Sequence, residues 1–350
     1  MLITTISELR LASPAHALDS IDGLVGFIDN SEHDFLEDKL GTPLYDALCQ
    51  WYDQNPSVRS SVSDYQTGYW NRLLLLAQRC VAFDALGRAI GMQAISVNNA
   101  GINMSIADDY PAPDKNGKTI DLYRDTCTKE AHAALNQLLR QLEQWCKEQG
   151  DDSERSEIVT LWKQSRYYYL AAALLIPSCE VLQSYLNIYD SREKFIQLLP
   201  DLRFIQEEII ANSIGGDLLK IVIDFARDGK LPEGEEPIAG IPVASLTEPT
   251  LQRLVHRLRK VMVALLVGRT SVLKYAKEQK VQAHDDGVRM LQNVTEYLKS
   301  LVPTEPANHA NHGDCPHDSS EAKIGGTVPC DAHCPDKDKN SAALWTAPLL

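Results

Sequence analysis

Apolar residues recur along most of the chain at helical spacing. Ile21, Leu24, Val25 and Ile28 share one face, and Phe35, Leu36 and Leu40 extend it. Gly41-Thr42-Pro43 interrupts the pattern. Glycine suits a left-handed helix end and proline the first turn of the next helix, so a second helix begins here with Leu44, Tyr45, Leu48 and Trp51 inward. A loop over 53–67 leads to a long helix over about 69–92, lined by Leu73, Leu74, Ala77 and Val81. From about residue 94 the period changes to two: Ile95 and Val97 alternate, 98–101 reads Asn-Asn-Ala-Gly, and Ile102, Met104 and Ile106 alternate again. That is the pattern of a short β-hairpin over about 94–106. A further helix over about 122–148 carries Leu135, Leu138, Leu142 and Trp145 on one face.

The second half repeats the first. Phe35-Leu36 falls on Ile209-Ile210, Leu40-Gly41 on Ile214-Gly215, Leu44-Tyr45 on Leu218-Leu219, Leu48 on Val222 and Trp51 on Phe225, all at an offset of 174. Farther on the offset is 181: Asn71-Arg72-Leu73 falls on Gln252-Arg253-Leu254 and Gly87-Arg88 on Gly268-Arg269. The seven extra residues fit in the loop over 231–249. Chance likeness between amphipathic helices is the alternative; preserved order and matched glycines favour duplication. The expected fold is therefore mainly α, with two tandem diverged helical-bundle units. The first, residues 1–152, carries the hairpin; the second spans 153–302; a Pro/Asp/His/Cys-rich extended tail over 303–350 ends in an apolar tip. Gly41 and Gly215 should each end a helix with positive φ.

Of the 350 residues 44% are apolar, enough for a sizeable core in each unit. A formal net charge of −14 argues against a nucleic-acid backbone as main partner. The first residues lack a basic run followed by an apolar core, and the most apolar stretch, 167–177, is far short of the roughly 20 residues of a membrane span. Folding in the cytoplasm is the expectation. Cys49, Cys80, Cys127, Cys146 and Cys179 lie in apolar helical pattern and read as buried small side chains.

The sequence contains no phosphate-binding glycine loop, no nucleophile elbow and no His-Glu-x-x-His. Asp108-Asp109 reads as a solvated loop edge, and His16, His33, His132, His256 and His284 are isolated, so no catalytic residue is assigned. The tail holds one chemically suggestive cluster. His309, His312, Cys315, His317, Cys330, His333 and Cys334 lie within 26 residues. The pairs His312/Cys315 and Cys330/Cys334 have spacings that suit tetrahedral zinc, although the set fits no standard finger. The alternative is a polar tail, net −4, with incidental Cys and His. Leu344, Trp345, Leu349 and Leu350 at its end, and Ile95, Val97, Ile102 and Met104 in the hairpin, are candidate partner-binding residues.

The run from Leu175-Ile176-Pro177-Ser178 through Ser191-Arg192-Glu193-Lys194-Phe195 to Ile214-Gly215-Gly216-Asp217-Leu218 resembles a protein family of Bacteroides-type phages and prophages. So do Leu40-Gly41-Thr42-Pro43-Leu44-Tyr45 and Asn99-Ala100-Gly101-Ile102. The resemblance covers roughly residues 1–300. More loosely, each half is similar to the small helical head–tail connector (adaptor) proteins of tailed phages, although a connector subunit is usually one such unit. The resemblance implies a virion structural protein, made in the bacterial host cytoplasm. It would form a homo-oligomeric ring at the portal vertex and contact portal, tail or other virion proteins, with no cofactor, membrane or sequence-specific nucleic-acid partner. An intracellular protein-binding or regulatory protein, with zinc in its tail, is the alternative.

Overall fold

The structure, a computed structural model, describes residues 1–13, 19–56, 61–93, 95–98, 101–104, 118–165, 168–170 and 173–302. The chain is mainly helical, and residues 1–303 form one compact unit.

An extended start, with Leu2 and Ile3 fully buried, leads into α1 (Ile6–Ala12). The Thr5 hydroxyl accepts from the Glu8 N–H while the Glu8 carboxylate accepts from the Thr5 N–H, a reciprocal cap that satisfies two orphan donors. Then come α2 (Val25–Ser31), a π-helical turn (Glu32–Glu37), α3 (Asp38–Leu40) and α4 (Thr42–Gln54). The long helices α5 (Tyr69–Gln93) and α6 (Lys118–Lys147) pack along each other, and α7 (Ser153–Lys163) lies against α4, α5 and α6. Between α5 and α6 the backbone of β1 (Ile95–Asn98) pairs antiparallel with β2 (Gly101–Met104).

The second half runs through α8 (Cys179–Gln183), α9 (Arg192–Phe204), a second π-helical turn (Ile205–Ile210), α10 (Ala211–Ile214) and α11 (Gly216–Asp228). It closes with α12 (Glu248–Arg269) packed along α13 (Lys277–Leu301). The apolar faces read from the sequence are the buried ones: Leu36, Leu40, Leu44 and Leu48 in the first half, Ile210, Ile214, Leu218 and Val222 in the second. Among the described residues no helix is long and apolar enough to cross a membrane.

The glycine break recurs in detail. Gly41 has φ 83° and ψ 143°, Gly215 φ 89° and ψ 136°, a region open essentially to glycine alone. In each case the glycine N–H closes the helix before it and its carbonyl accepts the first bond of the helix after it, from Tyr45 N–H and Leu219 N–H. The surroundings differ. Ser165, just past α7, sits on Gly41, whereas Ala239 of the loop before α12 sits beside Gly215. That loop, with Ile241 and Leu246 buried, covers in the second half what the end of α7 covers in the first. Gly87 and Gly268 also match: a Cβ on either would press on the partner helix, at 3.3 Å from Cys127 Cβ and 2.8 Å from His284 Cβ.

A side chain at Gly215 must adopt a left-handed conformation, so Gly215→Ala should cost about 1 kcal/mol. Gly41→Ala should cost more, because its Cβ also collides with Ser165. Chemical denaturation of the two variants checks the order. Equal costs would show that the Ser165 contact yields freely.

Candidate functional site

A residue buried outside the helices has a backbone N–H and C=O with no ladder to join, and each must find a partner. Leu2 solves this with two side chains. Its N–H donates to Glu32 Oε1 at 2.6 Å, and its C=O accepts from Gln78 Nε2 at 2.6 Å. Glu32 stands at the start of the π-helical turn and Gln78 in mid-α5, both almost fully buried. Tyr45 Oη donates to Glu32 at 2.8 Å, Tyr65 Oη donates to Gln78 at 2.8 Å, and the N-terminal amine lies 3.7 Å from Glu32.

Leu175, also fully buried, repeats the arrangement. Its N–H donates to Gln206 Oε1 at 2.8 Å, and its C=O accepts from Arg259 Nε at 2.7 Å. Gln206 belongs to the second π-helical turn and Arg259 to α12. Glu32 and Gln206 are 174 residues apart, and Gln78 and Arg259 are 181 apart, the two separations at which the apolar positions align in the sequence. A π-helical turn inserts one residue and so changes the phase of the helix face; in both halves it carries the clip residue.

Burial raises the Glu32 carboxyl above its usual range, against the opposing pull of the Leu2 N–H, the N-terminal amine and Tyr45. A neutral amide does the same work at Gln206. Glu32→Gln should therefore change stability by less than about 1 kcal/mol. Glu32→Leu, which strands the Leu2 N–H, should cost roughly 1–3 kcal/mol. Denaturant titrations separate the two; a Leu variant as stable as the Gln variant would contradict the clip.

The two halves meet along a polar stripe of α6. Positions 132, 136, 140, 143 and 147 share one helical face. His132 Nδ1 is 2.6 Å from Glu193, Asn136 accepts from the Arg192 N–H at 2.9 Å, and Arg140 pairs with Asp190. Glu143 meets Arg192 at 3.0 Å with both side chains buried, and Lys147 reaches Glu180 at 3.1 Å. Tyr169 Oη also donates to Glu143. The Asp190 turn is forced: Tyr189 and Asp190 both have positive φ, and Gln183 Oε1 accepts the N–H groups of Ile188 and Asp190. Tyr189 is left 77% exposed beside Lys194.

The Glu193 hydrogen bond raises the His132 pKa above the ordinary imidazole value, outweighing partial burial. A raised folded-state pKa stabilises fully below the unfolded value, and the gain is lost as pH climbs through the folded value. Stability should fall as pH rises from slightly acid to slightly alkaline, and His132→Gln should flatten that fall. Parallel pH–stability curves for the two proteins would remove His132 from the seam's account.

The remaining sequence candidates divide cleanly. Ile95 pairs with Met104 and Val97 with Ile102 in backbone register. His312, Cys315, Cys330 and Cys334, and Leu344, Trp345, Leu349 and Leu350, lie outside the described residues, as do His16 and the Asp108-Asp109 pair. Among the described residues no three His, Cys, Asp or Glu side chains are placed to hold a metal ion. Cys49, Cys80, Cys127, Cys146 and Cys179 are free and buried or half-buried; burial pushes their thiols up, to about 12 for Cys179, which suits packing and not nucleophilic work. His33 pairs with Glu37 at 2.8 Å, His256 with Tyr185 Oη at 3.0 Å, and His284 packs over Gly268.

No protein-family model matches the chain, and no curated protein or solved structure is significantly similar to it.

Proposed function

We propose that the chain is a virion structural protein, a head–tail connector (adaptor) subunit that takes its place in a ring at the portal vertex. One observation carries this reading. The same set of features occurs twice in the same order: a clipped non-helical residue, a π-helical turn, a glycine break, a 13-residue helix and a long packed helix pair. We read them as two diverged copies of one small helical unit, the unit that the connector resemblance implies. What has been kept between the copies is packing geometry: glycine breaks, clips and helix contacts. That is the expectation for a part whose work is to hold position.

In this reading the β1–β2 pair, inserted only between the long helices of the first unit, is a contact element for a neighbouring virion protein. The tail anchors Leu344, Trp345, Leu349 and Leu350 latch the subunit to an adjacent surface. The protein is made in the host cytoplasm and ends in the particle.

Mass spectrometry of purified virions should find the chain at a fixed multiple of the portal protein. Deleting residues 341–350 should leave the fold of residues 1–302 intact and yield heads that lack tails or leak DNA. Absence of the chain from particles would overturn the reading in favour of an intracellular binding protein, and normal assembly of the truncated chain would overturn the latch.

A further inference from the structure

The net charge of −14 would by itself oppose self-association, but the charge is unevenly spread. Residues 1–165 carry 14 basic and 24 acidic side chains; residues 248–301, the α12–α13 pair, carry ten basic and five acidic. Part of the excess forms a stripe along α12. Arg253, His256, Arg257 and Lys260 follow helical spacing along α12, and among the described residues none of the four forms an ion pair. Arg253 and Arg257 are held over the Tyr297 ring, at 5.8 and 4.7 Å to its centroid, which fixes both guanidinium groups on this face. Beside the stripe lies a shallow apolar depression formed by Tyr185, Val263, Ala264 and Met290, with His256 and Lys260 on its rim. An apolar floor with a charged rim is the anatomy of a protein interface.

The matching positions of α5 are Arg72, Leu75, Leu76 and Arg79, so the two central positions are apolar in the first half and basic in the second. This asymmetry gives the chain two unlike faces. A partner for the α12 face must be acidic, and the chain contains one. On α4 and α7, which pack together, Asp46, Asp53 and Glu157 are exposed and in no ion pair with a described residue, and so is Asp151 just before α7.

We infer that the α12 face of one protomer docks on the acidic α4–α7 face of a second copy, a head-to-tail contact. Unlike faces on one chain generate a ring when the rotation closes. The inference deepens the ring reading above and rests on it for closure, while the pairwise contact is tested without it.

The test is sedimentation velocity of the full chain at low and high ionic strength, about 0.01 M and about 1 M, where the Debye length is about 30 Å and about 3 Å. Association should appear at low salt and weaken at least tenfold at high salt. Arg253→Glu/Arg257→Glu/Lys260→Glu should abolish it, with helical content by circular dichroism unchanged. Should the triple variant misfold, Arg257→Gln with Lys260→Gln should weaken association in the same direction. Adding Asp46→Lys, Asp53→Lys and Glu157→Lys to the triple variant should restore association by exchanging the charges. A wild-type chain that stays monomeric at low salt, or a folded triple variant that associates like wild type, overturns the inference. Either result leaves the connector reading to be decided by the composition of the particle.

Discussion

Two buried residues, Leu2 and Leu175, lie outside the helices, and their backbone groups set a demand that the rest of the structure meets. A buried N–H or C=O left unpaired costs roughly 1–3 kcal/mol, and helices cannot lend them a ladder. Each half therefore supplies one acceptor from a π-helical turn and one donor from the middle of a long helix, α5 or α12. Those donors and acceptors reach the segment only if the turn, the glycine break and the long helix hold their places. The clip thus ties together elements 30 and 76 residues apart in the first half, and 31 and 84 residues apart in the second.

The seam between the halves follows a different logic. One buried apolar core runs through both halves, and α6 adds ion pairs and hydrogen bonds to the second half. The buried Glu143–Arg192 pair contributes little net stability against its desolvation cost, whereas losing one partner would strand a buried charge. Such a contact penalises wrong docking more than it strengthens right docking.

Much of this was legible in the sequence. The glycine breaks and the buried faces of the helices followed from periodicity, because packing and backbone conformation constrain residues locally. The clips were missed even though Glu32, Gln206, Gln78 and Arg259 sit at the same offsets. Carrying 174 and 181 across polar positions would have paired them, but a Glu facing a Gln, and a Gln facing an Arg, do not read as a match until one sees that each pair performs one hydrogen-bonding task. The α6 stripe was illegible for another reason. His132, Arg140 and Lys147 look like any solvated helix face, and only the fold brings Glu193, Asp190 and Glu180 to them. The loop before α12 read as a spacer, yet it buries Ile241 and Leu246 and covers Gly215.

Amide hydrogen exchange at Leu2 and Leu175 tests the clip most directly. A residue next to a chain end ordinarily frays and exchanges fast. If Glu32 and Gln206 hold the two N–H groups as equivalent clips, both amides should exchange as slowly as those in the core of α5 and α12, and Glu32→Leu should release Leu2 alone. Exchange of Leu2 at the rate of an unstructured chain, with Leu175 protected, would contradict the equivalence of the two halves on which the reading depends.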